Sequence, residues 1–296
     1  MAVHERGRRI NVNWNIFSGF TWYEMWSPIT FMVVALASVI YAKKIMHSSN
    51  YKVTKKQMAY YYTAAVLFYI VKGSPLKIAA DYFSFSAHVI EVMTVLFIVL
   101  PLFILSMPPQ WIRQYFWNHR LKFTIKLLGH PWMAALLFNG ALTVYFAPPL
   151  FNVIQQSVIL SIISQIFLIF TGFLMWWTII MPLPEISKFS YFTRVAYIFL
   201  NSVLLMPIGI FLLIGITEAH YTLYTAVAGE LFPSLSAVYD QQLGGGILKV
   251  IQLTSYGIAL FCLIGNWSKK EDEREGQIDD ENIRVVQGVV IHLPKK

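Results

Sequence analysis

The sequence predicts an all-α integral membrane protein, a bundle of seven transmembrane helices with its N-terminus outside and its C-terminus in the cytoplasm. Three observations predict this class. Of the 296 residues, 57% are hydrophobic and only 13% are charged, whereas soluble domains carry about 25% charged residues. The apolar residues also form seven long runs, and a helix needs about 20 such residues to cross a bilayer. Finally, the basic residues are unevenly shared between the loops.

The seven apolar runs define the predicted spans. The second is the shortest, and it ends at the helix-breaking sequence Lys72-Gly-Ser-Pro. The spans are Pro28–Ile45, Met58–Val71, Phe83–Met107, Pro131–Phe151, Val153–Met181, Thr193–Ile216 and Gly244–Ile264. Residues 1–266 are therefore interpreted as a membrane domain. Residues 267–296 mix charges of both signs without a core pattern, which is typical of a solvated cytoplasmic tail.

The distribution of lysine and arginine predicts the orientation. The loops after spans one, three and five and the tail carry nearly all of them, whereas Lys77 is alone in the opposite loops. Basic residues concentrate on the cytoplasmic side, so the bundle should run N-out to C-in, with Arg6, Arg8 and Arg9 as the exception. The net charge of +8 then reflects topology and anionic lipid and indicates no nucleic-acid partner. The basic residues are Lys43, Lys44, Lys52, Lys55, Lys56, Arg113, Arg120, Lys122, Lys126, Lys188, Arg194, Lys269, Lys270, Arg274, Arg284, Lys295 and Lys296.

A polar stripe marks the outer turns of span three. Ser84, His88 and Glu91 follow one another at helical spacing and share one face. An ionisable group at membrane depth costs about 2.5 kcal/mol or more, which makes it a functional hypothesis. Imidazole and carboxylate together can ligate copper or zinc. The alternative is a His–Glu pair that only packs against a neighbouring helix.

Two further segments bring charge to the same outer half. At the start of span seven, Lys249 needs a carboxylate, and Glu91 or Asp240 can supply it, either in a binding site or in an ion pair that joins helices three and seven. His220 either joins an outer metal site or is simply solvated. The turn at Lys72 is either part of the site or a charged anchor at the membrane interface. The predicted metal ligands are His88, Glu91 and Asp240. The predicted supporting polar cluster comprises Lys72, Asp81, Gln241, Gln242, Lys249 and His220.

The missing motifs argue against an enzyme. The sequence contains no GxxxxGK, HExxH or GxSxG pattern, and its single cysteine, Cys262, excludes intramolecular disulfides and thiolate metal cages. A transporter would require polar groups through the full depth of the bilayer, whereas the stripe of span three ends after about two turns.

Several motifs, taken in order along most of the chain, resemble the CtaG family of cytochrome c oxidase assembly factors, and more distantly the CopD copper-resistance membrane proteins. The most specific is Asp240-Gln-Gln-Leu-Gly-Gly at the start of span seven. The others are Lys72-Gly-Ser-Pro, Phe85-Ser86-Ala87-His88, Leu137-Phe138-Asn139, Tyr145-x-x-Pro148 and Phe173-Leu174-Met175-Trp176-Trp177.

The resemblance implies a seven-helix protein of the bacterial plasma membrane that inserts copper into the binuclear centre of a caa-type oxidase. Its partners would be oxidase subunits and an extracytoplasmic copper chaperone. The sequence departs from the family where softer ligands are usual: Val89 and Val92 flank the motif of span three, Ser161 replaces a histidine, and Leu248 replaces a methionine. The alternative is therefore a divergent, metal-free structural partner of a respiratory oxidase.

Overall fold

The computed structural model describes residues 12–48, 51–116, 130–183, 189–280, 283–286 and 289–292. A short 3-10 helix, Trp14–Gly19, comes first. The helices are α1 (Trp22–Met25), α2 (Pro28–Met46), α3 (Lys55–Gly73), α4 (Pro75–Phe83), α5 (Phe85–Ser106), α6 (Pro109–Phe116), α7 (Pro131–Tyr145), α8 (Pro148–Gln155), α9 (Val158–Ile180), α10 (Tyr191–Leu204), α11 (Met206–Gly215), α12 (Thr222–Ala226) and α13 (Ala237–Asp280); the strands are β1 (Ile283–Val286) and β2 (Val289–His292).

Among these elements, four helices are long and apolar enough to cross a membrane: α2, α5, α9 and α13. Three further candidates are bent pairs, α3 with α4 (48°), α7 with α8 (74°) and α10 with α11 (42°), so the count reaches seven if each pair is one span. The predicted class, an all-α multi-pass membrane protein, is confirmed. The orientation stays a prediction, and of the residues that suggested it, Arg120, Lys122, Lys126, Lys188, Lys295 and Lys296 lie outside the described residues.

Proline explains the three breaks, of which the sequence predicted only the one at Lys72-Gly-Ser-Pro. Pro75, Pro148 and Pro207 each lie in the first turn of the second helix of a bent pair. Proline lacks the backbone N–H and cannot continue the preceding hydrogen-bond ladder, so each span breaks there. The fourth span therefore breaks after Tyr145 instead of running to Phe151, and Val153 belongs to α8 and not to the fifth span.

Helix α5 lies at the centre of the bundle. In its most apolar window 61% of the residues are buried, against 11–28% in the other three long helices. Its N-terminal end is surrounded by aromatic rings, and Phe85 stacks on Tyr221 with the ring centroids 4.1 Å apart. Helix α13 packs closely here because Gly244 lies against the Phe85 ring, which a Cβ atom would approach to 2.7 Å.

The C-terminal part of the chain is more regular than a simple tail. Helix α13 continues without a break past residue 267 to Asp280, and its side chains from Glu271 to Glu273 are exposed. β1 and β2 then pair as an antiparallel hairpin, with Ile283 opposite His292. The division at residue 267 remains a prediction, since the helix itself has no boundary there.

Candidate functional site

Three potential metal ligands converge at the N-terminal end of α5. One ligand atom from each of Asp81, His88 and Glu91 lies within 4.8 Å of the other two. His88 and Glu91 are fully buried, and Asp81 is partly exposed. Asp81 reaches them because the last turn of α4, Ala79–Phe83, is π-helical, and such turns are frequent at functional sites. We call these three residues, Asp81, His88 and Glu91, the ligand cluster.

Two lysines neutralise the carboxylates of the ligand cluster. Lys72, at the end of α3, places Nζ 2.5 Å from Glu91 Oε1 and donates a hydrogen bond to Gln165 Oε1 at 2.7 Å. Lys77 on α4 pairs with Asp81 and lies 3.5 Å from the same oxygen of Glu91. The ligand cluster and its two lysines thus bring together two carboxylates and two ammonium groups, which compensate the burial of the Glu91 side chain.

His88 is held by several polar contacts. Its Nε2 lies 2.8 Å from the Tyr145 hydroxyl and 3.4 Å from Gln155 Nε2, and the imidazole also interacts with the backbone carbonyl of Ala80. Among the described residues, neither His88 Nδ1 nor Glu91 Oε2, the oxygen not paired with lysine, makes a hydrogen bond of good geometry. Buried polar atoms are rarely left unpaired. A nitrogen and two carboxylates suit Cu(II) or Zn(II), so the residues present fit a metal ion.

Aromatic side chains enclose the imidazole of His88. The Phe151 ring meets it edge-on with the centroids 5.3 Å apart, and the Tyr224 ring lies at 6.3 Å. Tyr224 also donates a hydrogen bond of 2.7 Å to the carbonyl of Ala80 and so fixes the π-helical turn that carries Asp81. These rings make the surroundings of His88 largely apolar, which strengthens electrostatic interactions inside the cluster.

Asp240, which the sequence predicted as the third ligand, lies at the N-terminus of α5 and outside the ligand cluster. Its carboxylate accepts hydrogen bonds from the Ser84 hydroxyl (2.9 Å), the Phe85 N–H (2.7 Å), the Ser86 N–H (3.2 Å) and the Ser86 hydroxyl (2.5 Å). It therefore caps the N-terminus of α5 from the neighbouring helix α13, which satisfies backbone donors that a helix leaves free. The structure brings Asp81, and not Asp240, to His88 and Glu91.

The predicted ion pair of Lys249 is wrong. Its ammonium donates to the Leu205 carbonyl at 3.1 Å and to Gln252 Oε1 at 3.0 Å, and within the described part of the chain it pairs with neither Glu91 nor Asp240. Leu205 ends α10 at the break before Pro207. The lysine therefore compensates the carbonyl end of a broken helix, where the helix dipole favours a positive charge.

The remaining members of the predicted supporting cluster fix the outer loop. Gln241 Oε1 accepts the backbone N–H of His220 at 3.1 Å, and Gln242 donates to the Ile216 carbonyl at 2.9 Å. The His220 ring packs on Phe211 with the ring centroids 6.2 Å apart. These three residues tether the segment between α11 and α12, and His220 does not belong to the ligand cluster.

Sequence reasoning gave no role to four residues that complete the site: Lys77, Tyr145, Gln155 and Gln165. Lys77 was noted only as the single basic residue of the outer loops, and Tyr145 only within a motif. Gln155 and Gln165 carried a usable signal, because an amide side chain in an apolar run requires a polar partner. Their partners could not be named without knowing which helix faces α5.

The fold and this cluster together define a class: multi-pass α-helical membrane proteins with a charged, potentially metal-binding site among the helices at one end of the bundle. The chain belongs to the family of cytochrome c oxidase caa3 assembly factors (Caa3_CtaG), whose model matches residues 32–270. This confirms the resemblance that the motifs indicated, and the matched range includes every member of the cluster. Comparisons with curated proteins and with solved structures found no match.

Proposed function

We propose that this protein assists the assembly of a caa3-type cytochrome c oxidase by holding a copper ion, as cargo, between Asp81, His88 and Glu91. One observation carries the proposal: one ligand atom from each of the three residues lies within 4.8 Å of the other two, and these residues include buried polar atoms, His88 Nδ1 and Glu91 Oε2, that make no hydrogen bond of good geometry among the described residues. Family membership supports the role in oxidase assembly.

The chemistry of the ligands favours Cu(II) over Cu(I). One imidazole nitrogen and two carboxylates form a hard to borderline set without sulfur, whereas Cu(I) prefers soft thiolate or thioether ligands. The aromatic residues around His88 limit water access and let the metal–carboxylate attraction act at low dielectric. Lys72 and Lys77 occupy the carboxylates when no metal is bound, so copper entry requires both ammonium groups to move away.

The proposed route follows from the predicted orientation. In an N-out arrangement in a bacterial plasma membrane, the cluster lies in the outer half of the bilayer. An extracytoplasmic copper chaperone would then supply the ion, and an oxidase subunit beside the bundle would receive it. The proposed role is to bind the ion and pass it to the oxidase.

A second function has its own supporting observation. Lys72 and Lys77 already neutralise Glu91 and Asp81, so the cluster is electrostatically complete without a metal. On this alternative the protein is a metal-free structural partner of the oxidase, and the ion pairs only fasten α3, α4 and α5 together.

Copper content separates the two functions. The purified protein is incubated with Cu(II), washed with a weak chelator, and analysed for bound copper by mass spectrometry and for nitrogen ligation by electron paramagnetic resonance. We expect a single copper ion per chain in the wild type and a loss of binding in His88→Ala. His220→Ala is the matched control, because that histidine also lies at the outer end of the bundle but outside the cluster.

Oxidase maturation in cells provides the second readout. The copper proposal expects His88→Ala to lower the copper content of the oxidase, with His220→Ala unchanged. If the wild type retains no copper and His88→Ala matures the oxidase normally, the copper proposal fails and the metal-free partner takes its place.

A further inference from the structure

A long apolar groove runs along α13 at the end of the bundle opposite the ligand cluster. Its volume is about 460 Å³, within the roughly 300–1,000 Å³ of typical ligand pockets. Residues of α5, such as Phe97 and Leu105, form one wall, and Trp176 of α9 contributes to another. Along α13 the lining extends from Val250 to Asn266.

The groove ends at two converging cations. Arg194 belongs to its lining, and Lys270 follows Asn266 by one helical turn on the same face of α13. Both lie over the ring of Tyr191, Arg194 Cζ at 5.6 Å and Lys270 Nζ at 5.9 Å from its centroid. Arg194 donates to the carbonyls of Ile179 and Ile180. Across the described ranges, neither cation pairs with a carboxylate, so two positive charges lie around one ring without an anion.

The groove is longer than one leaflet of a bilayer is thick. Sixteen residues separate Val250 from Asn266, which corresponds to a helical rise of about 24 Å. The hydrocarbon core is about 30 Å thick in total, so a chain that enters at Asn266 can remain in the groove through its whole leaflet. The walls of the groove are apolar, whereas its end near Asn266, which we call the mouth, carries the cations Arg194 and Lys270. This is the polarity of a single phospholipid, with a phosphate above and an acyl chain below.

We propose that this groove binds an anionic glycerophospholipid, with one acyl chain along α13 and the phosphate between Arg194 and Lys270. Basic pockets between helices on the cytoplasmic side are recognised sites for anionic headgroups, and the predicted orientation places this mouth in the cytoplasmic leaflet. A transmembrane helix of a partner would fill the apolar part, but it would leave the two cations unpaired. The proposal does not depend on copper binding, because the groove and the ligand cluster share no residue.

Cys262 provides a direct reporter of occupancy. It is the only cysteine of the chain, it is exposed, and it lies in the lining of the groove. The purified full-length protein in an uncharged detergent is titrated with phosphatidylglycerol or with phosphatidylcholine. The rate of Cys262 alkylation by N-ethylmaleimide is then measured at each lipid concentration.

We expect phosphatidylglycerol to slow alkylation at a concentration at least tenfold lower than phosphatidylcholine does, and added salt to reduce the difference by screening. Lys270→Gln and Arg194→Gln should each abolish the preference for phosphatidylglycerol. Lys269→Gln, which removes the neighbouring exposed lysine, should leave it unchanged. Lys270→Gln is the decisive variant, because Lys270 makes only the ring contact with Tyr191 and its loss should not disturb folding.

Two outcomes would overturn the proposal. The first is the absence of a preference for phosphatidylglycerol in the wild type, or a preference that survives Lys270→Gln. The second is protection of Cys262 by co-expressed oxidase subunits and not by lipid, which would assign the groove to a partner helix.

Discussion

Removing the ammonium of Lys72 tests how the buried carboxylate of Glu91 is stabilised. Glu91 is completely buried, and its Oε1 lies 2.5 Å from Lys72 Nζ. Lys72→Met keeps the length of the side chain and deletes its charge, so Glu91 loses its closest counter-ion. Breaking a buried pair from one side costs about 3–5 kcal/mol, because the remaining charge is stranded.

The second lysine reduces this cost without removing it. Lys77 Nζ is 3.5 Å from the same oxygen, but Lys77 already pairs with Asp81. We therefore expect Lys72→Met to lower the free energy of unfolding by about 3 kcal/mol, the lower end of that range. The double variant Lys72→Met/Glu91→Leu removes both charges and should recover most of the loss, since apolar replacement of a buried pair is often neutral.

The assay is unfolding of the purified protein by sodium dodecyl sulfate in mixed micelles, followed by circular dichroism. Lys249→Met is the matched control, because that ammonium bonds only the Leu205 carbonyl and Gln252 and its removal strands no carboxylate. Its effect should be clearly smaller than that of Lys72→Met. If Lys72→Met is as stable as the wild type, or if Glu91→Leu adds to its loss, the ion pair does not stabilise Glu91 as argued.

Three further expectations concern packing, capping and orientation. Gly245→Ala should lower the free energy of unfolding by about 1–3 kcal/mol, because the new Cβ atom would lie 2.6 Å from the backbone of Leu212. Gly246→Ala should be neutral in the same unfolding assay, because its Cβ atom would have no neighbour nearer than 3.6 Å. Equal effects of the two variants would contradict this. Asp240→Ala should cost at least about 2 kcal/mol through the lost cap of α5, and a normal midpoint would refute the capping role. A cysteine at Glu230, in a cysteine-free background, should react with a membrane-impermeant maleimide in intact cells; labelling only after lysis would reverse the proposed orientation.

The membrane class was predictable because it depends on composition, which needs no knowledge of packing. The positions of the spans were also close, since apolar runs of about 20 residues have few other uses. The break before Pro75 was predicted from Lys72-Gly-Ser-Pro, but the breaks at Pro148 and Pro207 were not. A proline in an apolar run either kinks a helix or ends it, and the neighbouring helices decide which.

The site was predictable where one helix carries it and not where helices meet. His88 and Glu91 share one face of α5, so helical spacing alone placed them together. Asp81 joins them because a π-helical turn and a bend precede α5, and neither has a sequence signal of its own. Asp240 lies outside the three converging residues, and among the described residues Lys249 pairs with neither carboxylate, because each side chain hydrogen-bonds the free end of a neighbouring helix.

The two lysines of the ligand cluster also set the terms on which a metal can be exchanged. With a neutral imidazole, the charges of Asp81, Glu91, Lys72 and Lys77 sum to zero. A divalent ion that displaces both ammonium groups leaves this sum unchanged, so the bilayer interior gains no net charge. A monovalent ion conserves the same sum by displacing only one ammonium group. The number of lysines released would therefore equal the charge of the ion that enters, and any other ratio would carry the penalty of an unpaired ion at membrane depth.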